Sequence, residues 1–199
     1  MWTIYPVEVE LTEPLLGVVP KNPDVYKTWI ESKQVKGDEG EPEYTEERSW
    51  TGFHVDKDKG LYIMDYHIKG YFKEVAAIMP ETLGLKKKSG DLMSEQMIKH
   101  RLDNWLFIEP RRIYLGKQEP DGYIERPLRA ETLRGKRIAL ARSDYVEGVT
   151  LQFTVVILNS SPIKFEQIRT WLAYGEKKGL GQFRTGGYGT FTYSFHRTG

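Results

Sequence analysis

The spacing of apolar and polar residues predicts the first strand and the first helix of the chain. Val7, Val9 and Leu11 alternate with Glu8 and Glu10, which is typical of a strand with one buried face. Apolar residues then recur at helical spacing over residues 66–79, where Asp65 is a candidate N-cap and Pro80 ends the pattern. The apolar face of this helix consists of Ile68, Phe72, Val75, Ala76 and Met79.

The remaining periodic segments complete an α+β pattern. They predict a helix over 91–105, strands over 106–108, 138–141 and 151–158, a helix that Ser161-Pro162 opens and that reaches Tyr174, and a last strand over 188–195. When only the long elements are counted, their order is β-α-β-β-α-β with an extra helix in the first crossover. This order is the ferredoxin-like (RRM-type) arrangement. We expect a single domain over 1–199, with an acidic insertion at 18–60, where residues 25–33 form a short helix, and a basic hairpin at 126–142.

Composition narrows the chemistry. The chain has 199 residues, 39% of them hydrophobic, and contains no cysteine, which excludes disulfides, thiolate metal sites and cysteine catalysis. The four histidines have no metal-ligand spacing, so we expect no metal site. The N-terminus lacks a basic segment followed by an apolar run, and no stretch is apolar enough to span a membrane. We therefore expect a cytoplasmic protein.

Charge is unevenly distributed although the net charge is only +1. Residues 24–58 contain ten acidic and five basic residues, whereas residues 86–142 contain fourteen basic and eight acidic residues. Such a division allows one surface that binds a polyanion and another that repels it or docks a basic partner.

A glycine-rich segment lies between the last predicted helix and strand, and we call residues 179–191 the glycine loop. It contains five glycines in thirteen residues, together with Arg184, and follows Lys177 and Lys178. Arg184 stands where a dinucleotide fingerprint needs its third glycine, and no glycine precedes Lys-Ser or Lys-Thr as a P-loop requires, so no nucleotide cofactor is indicated. Backbone N–H groups beside cations would make a cradle for a phosphodiester backbone, and a plain connector is the alternative.

Three segments resemble the RAMP superfamily of CRISPR-associated proteins. Gly179, Gly181, Gly187 and Gly189 match the family's loop form G-x-G-x-x-x-x-x-G-x-G. The first strand, which runs into Pro14-Leu-Leu-Gly17, is similar to the family's opening strand, and Lys69-Gly70 is similar to a Lys-Gly pair at the start of its first helix. The family's aspartate-bearing loop has only Asp24 as a loose counterpart.

The resemblance implies an RNA-binding protein, of a CRISPR antiviral system or of a virus-borne relative, that assembles with copies of itself or with other CRISPR-type subunits. Tyr71, Phe183 and Tyr188 could stack on bases, since aromatic planes accept any base. For Phe183 and Tyr188 a core position is an equal alternative. The candidate contacts to single-stranded RNA are Lys69, Lys73, Arg129, Arg134, Lys136, Arg137, Lys177, Lys178, Gly179, Gly181, Arg184, Gly187, Tyr188 and Gly189.

Two other functions remain open at this point. The family's processing ribonucleases use a histidine without metal, which makes His67, beside Lys69, a candidate general acid or base of an endoribonuclease. Alternatively, the chain is a structural or interaction protein, for example of viral origin, that binds no nucleic acid. Salt-sensitive RNA binding separates the first two functions from the third.

Overall fold

The computed structural model describes residues 1–21, 50–87, 89–132 and 135–196. Asp24, the helix expected at 25–33 and Arg134 lie outside these residues. The described strands are β1 Trp2–Leu11, β2 Leu15–Leu16, β3 Val19–Pro20, β4 Thr51–Gly52, β5 His54–Asp56, β6 Gly60–Met64, β7 Leu106–Glu109, β8 Arg112–Tyr114, β9 Gly122–Thr132, β10 Gly135–Val146, β11 Thr150–Leu158 and β12 Phe191–Phe195. The helices are α1 Asp65–Ile78, α2 Glu95–Trp105 and α3 Phe165–Lys178.

The first sheet has the strand order β12-β1-β11-β7, and all of its neighbouring strands are antiparallel. Helix α1 lies in the connection from β1 to β7, and α3 connects β11 to β12. This is the ferredoxin-like α+β fold, as the sequence predicts. The first and last strands of the unit are neighbours in this sheet, and Val7–Leu11 align with Phe191–Phe195 in antiparallel register.

The core lies between this sheet and its helices. Val7, Val9 and Leu11 are buried in one cluster with Phe72 of α1 and Leu172 of α3, as the alternation in β1 predicts. Phe72 is completely buried, and burying an apolar side chain of this size contributes about 1.5–3 kcal/mol to folding. Tyr71 also belongs to this core: it is 3% exposed, and its hydroxyl donates to the Trp171 carbonyl oxygen. The expectation that Tyr71 stacks on bases is therefore wrong.

Several element boundaries differ from the prediction because local hydrogen bonds place them elsewhere. Helix α1 is capped by Met64 and not by Asp65. Helix α2 begins at Glu95 and not at 91, since the Lys87 N–H donates to the Asp91 carbonyl (2.6 Å) in a preceding turn. Helix α3 begins at Phe165 after the Lys164 N-cap, because Ser161-Pro162 forms a separate turn in which the Ser161 hydroxyl accepts the Ile163 N–H.

Two further sheets are attached to the ferredoxin-like unit. One has the order β2-β10-β4-β3, with β9 paired to β10 as a long antiparallel hairpin. The other has the order β5-β6-β8. Strand β6 leads directly into α1, and β2 lies only three residues beyond β1, so both extra sheets meet the helical face near the glycine loop.

Candidate nucleic-acid interface

The glycine loop depends on left-handed backbone geometry. Its four family-matching glycines have positive φ values, of 74° at Gly179, 77° at Gly181, 87° at Gly187 and 71° at Gly189. A Cβ at Gly189 would collide with the Leu180 carbonyl oxygen, whereas a Cβ at Gly187 would meet no atom within 4 Å. Gly189 is therefore required by a close backbone crossing, and Gly187 is favoured by its conformation alone.

Much of the loop's backbone is hydrogen-bonded within the protein. The Leu180 N–H donates to the Gly189 carbonyl oxygen (2.8 Å), and the Gly189 N–H donates to the Pro14 carbonyl oxygen (2.9 Å). The Gly187 N–H likewise donates to the Arg184 carbonyl oxygen (3.0 Å). For these N–H groups the expected phosphate cradle is wrong, because each already has an acceptor. These bonds also fix Tyr188 outside the last strand, which begins at Phe191 and not at 188.

Two of the predicted loop cations hold the loop against α1. Arg184 and Lys178 contact the two carboxylate oxygens of Glu74, at 2.6 and 3.2 Å respectively. Burial would raise the pKa of Glu74, but the hydrogen bonds and charges of Arg184 and Lys178 hold this pKa below its usual value. Lys177 is exposed, and no carboxylate in the described part of the chain forms an ion pair with it. Lys177 is thus the loop-proximal cation best placed to meet a ligand.

The Glu74 contacts predict a dependence of stability on acid pH. Because the pKa of Glu74 is depressed on folding, its contribution is fully present above its unfolded pKa near 4.5 and is lost as pH falls through the folded value. We expect the melting temperature of the wild type to fall more between pH 6 and pH 3 than that of Glu74→Gln. Thermal melts across this range test the expectation against Glu95→Gln, which removes an exposed carboxylate on α2. Parallel curves for wild type and Glu74→Gln would contradict it.

Lys69 and Lys73 of α1 are directed at α2. The Lys73 ammonium contacts both carboxylate oxygens of Asp103 (2.7 and 2.9 Å), and the Lys69 ammonium donates to the Asp103 carbonyl oxygen (3.0 Å). Burial lowers the pKa of Lys69, whose ammonium also lies 4.6 Å from the centre of the Phe107 ring. These two lysines therefore tie α1 to α2.

An arginine and two aromatic rings form a stack at the tip of the glycine loop. The Arg126 guanidinium lies 4.4 Å above the Phe183 ring, and Phe183 stacks on Tyr188 with the ring centres 5.7 Å apart and the planes inclined by 28°. We call Arg126, Phe183 and Tyr188 the arginine–aromatic stack. Phe183 is 42% exposed and has φ of 51°, the one positive φ of a non-glycine residue in the described chain. A residue held in this costly conformation with its ring in solvent is a candidate for function.

Among the described residues, no carboxylate pairs with Arg126. Its Nη2 donates to the Gln182 Oε1 (3.1 Å), and its Nε has no hydrogen-bond partner in the described structure. Burial lowers the pKa of Arg126, yet a guanidinium is so strongly basic that it remains charged at physiological pH. A partly buried cation without a carboxylate, stacked on an exposed ring, suits a phosphate group beside a base.

Gln182 links the glycine loop to the β9–β10 hairpin. Its side-chain oxygen accepts from Arg126 on β9 and from Ser143 on β10 (3.4 Å), at the root of the hairpin. By register, Arg129 of β9 lies opposite Ile138, while Lys136 and Arg137 of β10 lie opposite Glu131 and Ala130. The loop and a hairpin rich in basic residues therefore belong to one region of the molecule.

His67 lies at the start of α1, close to the glycine loop. Its Nδ1 accepts the Met64 N–H (3.3 Å), so the imidazole helps to cap the helix. His67 also lines a small pocket together with Leu15, Leu180 and Gly181. Its position beside the loop agrees with a role at the same surface, and its capping bond gives it a structural role as well.

The described residues were compared with the requirements of a metal site and of a membrane-spanning helix. Within residues 1–21, 50–87, 89–132 and 135–196, no three His, Asp or Glu side chains are grouped closely enough to hold a metal ion. In the same part of the chain, no helix has both the length and the apolar composition needed to cross a membrane.

Comparisons with known proteins identify a structural neighbour. The fold is similar to that of a chain in the cryo-EM structure of the Type III-B Cmr-beta bound to cognate target RNA, with a TM-score of 0.51 and 14% sequence identity. The similarity covers 98% of this chain and 59% of that one, so this chain spans about three fifths of its neighbour's length. No protein-family model and no curated protein sequence matches the chain. The likeness is one of fold.

Proposed function

We propose that the chain is a RAMP-like RNA-binding protein that acts as a subunit of a ribonucleoprotein. The observation that supports this most strongly is the arginine–aromatic stack. It combines a guanidinium that pairs with no carboxylate of the described residues with an exposed ring held at positive φ. The fold of the chain is similar to that of a chain in an RNA-bound Type III-B complex. This similarity supports RNA as the ligand and suggests other subunits of such a complex as partners.

The binding surface extends from the glycine loop along the hairpin. Tyr188 and Phe183 stack on bases in a sequence-tolerant manner, while Arg126 and Lys177 contact phosphates. We also propose phosphate contacts by Arg129, Lys136 and Arg137, whose backbone lies on the hairpin strands, and by Arg134 on the basis of the sequence alone. Glu74 forms ion pairs with both Lys178 and Arg184 and offsets one of their two charges, so these cations contribute less to binding than their combined charge suggests. The loop glycines allow the backbone crossing that fixes the loop and thereby positions the two aromatic rings.

The salt dependence of binding tests the assignment of phosphate contacts. Each phosphate contact on a single strand contributes a slope of about −0.7 to the plot of log K against log salt. We expect Arg126→Gln and Lys177→Gln each to flatten the slope by about that amount. Lys73→Gln, whose lysine is paired with Asp103, should leave it unchanged.

The measurement is a titration of fluorescently labelled oligouridine RNA at several sodium chloride concentrations. A slope that is unchanged in both Arg126→Gln and Lys177→Gln would remove these cations from the binding surface. A slope that changes equally in Lys73→Gln would show a general charge effect and contradict the assignment.

The endoribonuclease function, with His67 as general acid or base, has its own test. Cleavage of RNA in EDTA that is lost in His67→Gln, with the melting temperature unchanged, would establish it. RNA that is bound and remains intact favours the binding function, in agreement with the capping role of His67.

A further inference from the structure

The first sheet has one face that packs on the helices and a second face that carries no described helix. Because side chains alternate along a strand, the residues flanking the buried Val7, Val9 and Leu11 point to this second face, which we call the outer sheet face. Its positions are Trp2, Ile4, Pro6, Glu8 and Glu10 of β1, Phe107 and Glu109 of β7, Thr150, Gln152, Thr154, Val156 and Leu158 of β11, and Thr192 and Ser194 of β12.

One end of the outer sheet face is apolar. Trp2, Ile4 and Phe107 are 45%, 52% and 37% exposed. The strand register places Ile4 opposite Val156 and Val156 opposite Phe107, and the Trp2 ring meets the Phe107 ring edge-on at 5.5 Å. Single exposed apolar residues are common, but a contiguous group that includes two aromatic rings is typical of an interaction site.

The other end of the outer sheet face is acidic. Glu10 is exposed at this end, and Glu8 accepts a hydrogen bond from Gln152 (2.9 Å) and lies 3.3 Å from His196. Glu109, which is also exposed, lies level with Pro6 between the two ends. None of the outward positions of the four strands is lysine or arginine. The Lys69 ammonium reaches the Phe107 ring from α1, but it is hydrogen-bonded to the Asp103 carbonyl oxygen. Such a face repels phosphates and attracts cations.

We propose that the outer sheet face docks a protein partner that presents an apolar side chain flanked by lysine or arginine. The apolar side chain would bury Trp2, Ile4 and Phe107, and the basic residues would face Glu10 and Glu109. Charge complementarity of this kind sets the choice of partner and the rate of encounter. The proposal does not depend on RNA binding, since the arginine–aromatic stack lies on the glycine loop and not on this face.

Binding of two synthetic peptides to the full chain tests the proposal. The peptides have equal length, and one alternates leucine with lysine while the other alternates leucine with glutamate. We expect the lysine peptide to bind at least about tenfold more tightly in calorimetric titrations, a difference of about 1.4 kcal/mol. Trp2→Thr with Ile4→Thr, which keeps strand-forming residues, should abolish binding. Glu10→Lys with Glu109→Lys should invert the preference between the peptides, while Glu119→Lys with Glu147→Lys, which gives the same change in charge at exposed positions elsewhere, should not.

Three results would overturn the proposal. Equal affinity for both peptides, or binding that survives Trp2→Thr with Ile4→Thr, would show that the face does not select a basic partner. Oligouridine RNA binding that Trp2→Thr with Ile4→Thr abolishes would assign the face to nucleic acid. Self-association that Trp2→Thr with Ile4→Thr abolishes would assign it to a second copy of the chain.

Discussion

Gly189→Ala is expected to break the backbone hydrogen bonds that hold the glycine loop, whereas Gly187→Ala is expected to leave them intact. Both residues have positive φ, so both substitutions incur the left-handed backbone cost of about 1–2 kcal/mol. Of the two, only the methyl group at position 189 would collide with a backbone atom, the Leu180 carbonyl oxygen. Moving Leu180 to make room would break the hydrogen bond from its N–H to the Gly189 carbonyl oxygen. We therefore expect a total loss above about 3 kcal/mol at Gly189, beyond the ordinary range for a point mutation.

Urea unfolding of the two variants measures this difference in the free energy of unfolding. Gly187→Ala is the matched control because it shares the backbone conformation and differs in the space around the methyl group. Oligouridine binding should follow the same order, with a large loss for Gly189→Ala and a small one for Gly187→Ala. Equal free energies of unfolding for the two variants would show that the backbone crossing at Gly189 does not hold the loop.

Phe183→Asn is expected to weaken RNA binding without destabilising the fold. Stacking of a base on an aromatic ring contributes about 1–3 kcal/mol, which corresponds to a loss in affinity of about 5-fold to 150-fold. Asparagine tolerates the left-handed conformation that Phe183 adopts, so relief of backbone strain offsets the loss of a ring that is 42% exposed.

Phe165→Asn provides the control for Phe183→Asn. Phe165 is 38% exposed at the start of α3 and packs against Tyr5 and Phe195, away from the glycine loop. This control should lower the melting temperature and leave the affinity for oligouridine unchanged. If Phe183→Asn binds as tightly as the wild type, the ring contacts no base and the strained conformation has another cause.

The ferredoxin-like unit could be predicted from the sequence because its elements have strong periodicity. Helix α1 presents its apolar residues at helical spacing, and its predicted ends agree with the structure to within one residue. The alternation from Val7 to Leu11 predicts the second half of β1, which begins at Trp2. Strand β6 was missed because Leu61, Tyr62 and Ile63 are all buried and show no alternation. The small sheets were missed because two-residue strands such as β2 and β4 have no periodic pattern, and only tertiary pairing defines them.

Several residues of the candidate site could be predicted from the sequence, but the contacts between them could not. The glycine pattern pointed to the loop, and Phe183 and Tyr188 lie within it. The contact between Arg126 and Phe183 joins residues on separate elements, and nothing in the local sequence distinguishes Arg126 from the other arginines of the hairpin. Conversely, charge alone made Lys73 and Arg184 candidates, since their ion pairs with Asp103 and Glu74 also join separate elements.

Photochemical cross-linking of 4-thiouridine RNA to the full chain, mapped by mass spectrometry, tests most directly whether the glycine loop is the RNA-binding surface. The proposed function predicts cross-links at Phe183 and Tyr188, with their yield reduced in Arg126→Gln. Cross-links at Trp2 and Phe107 on the outer sheet face, with none in the glycine loop, would contradict it. So would the absence of cross-links at an RNA concentration that saturates binding.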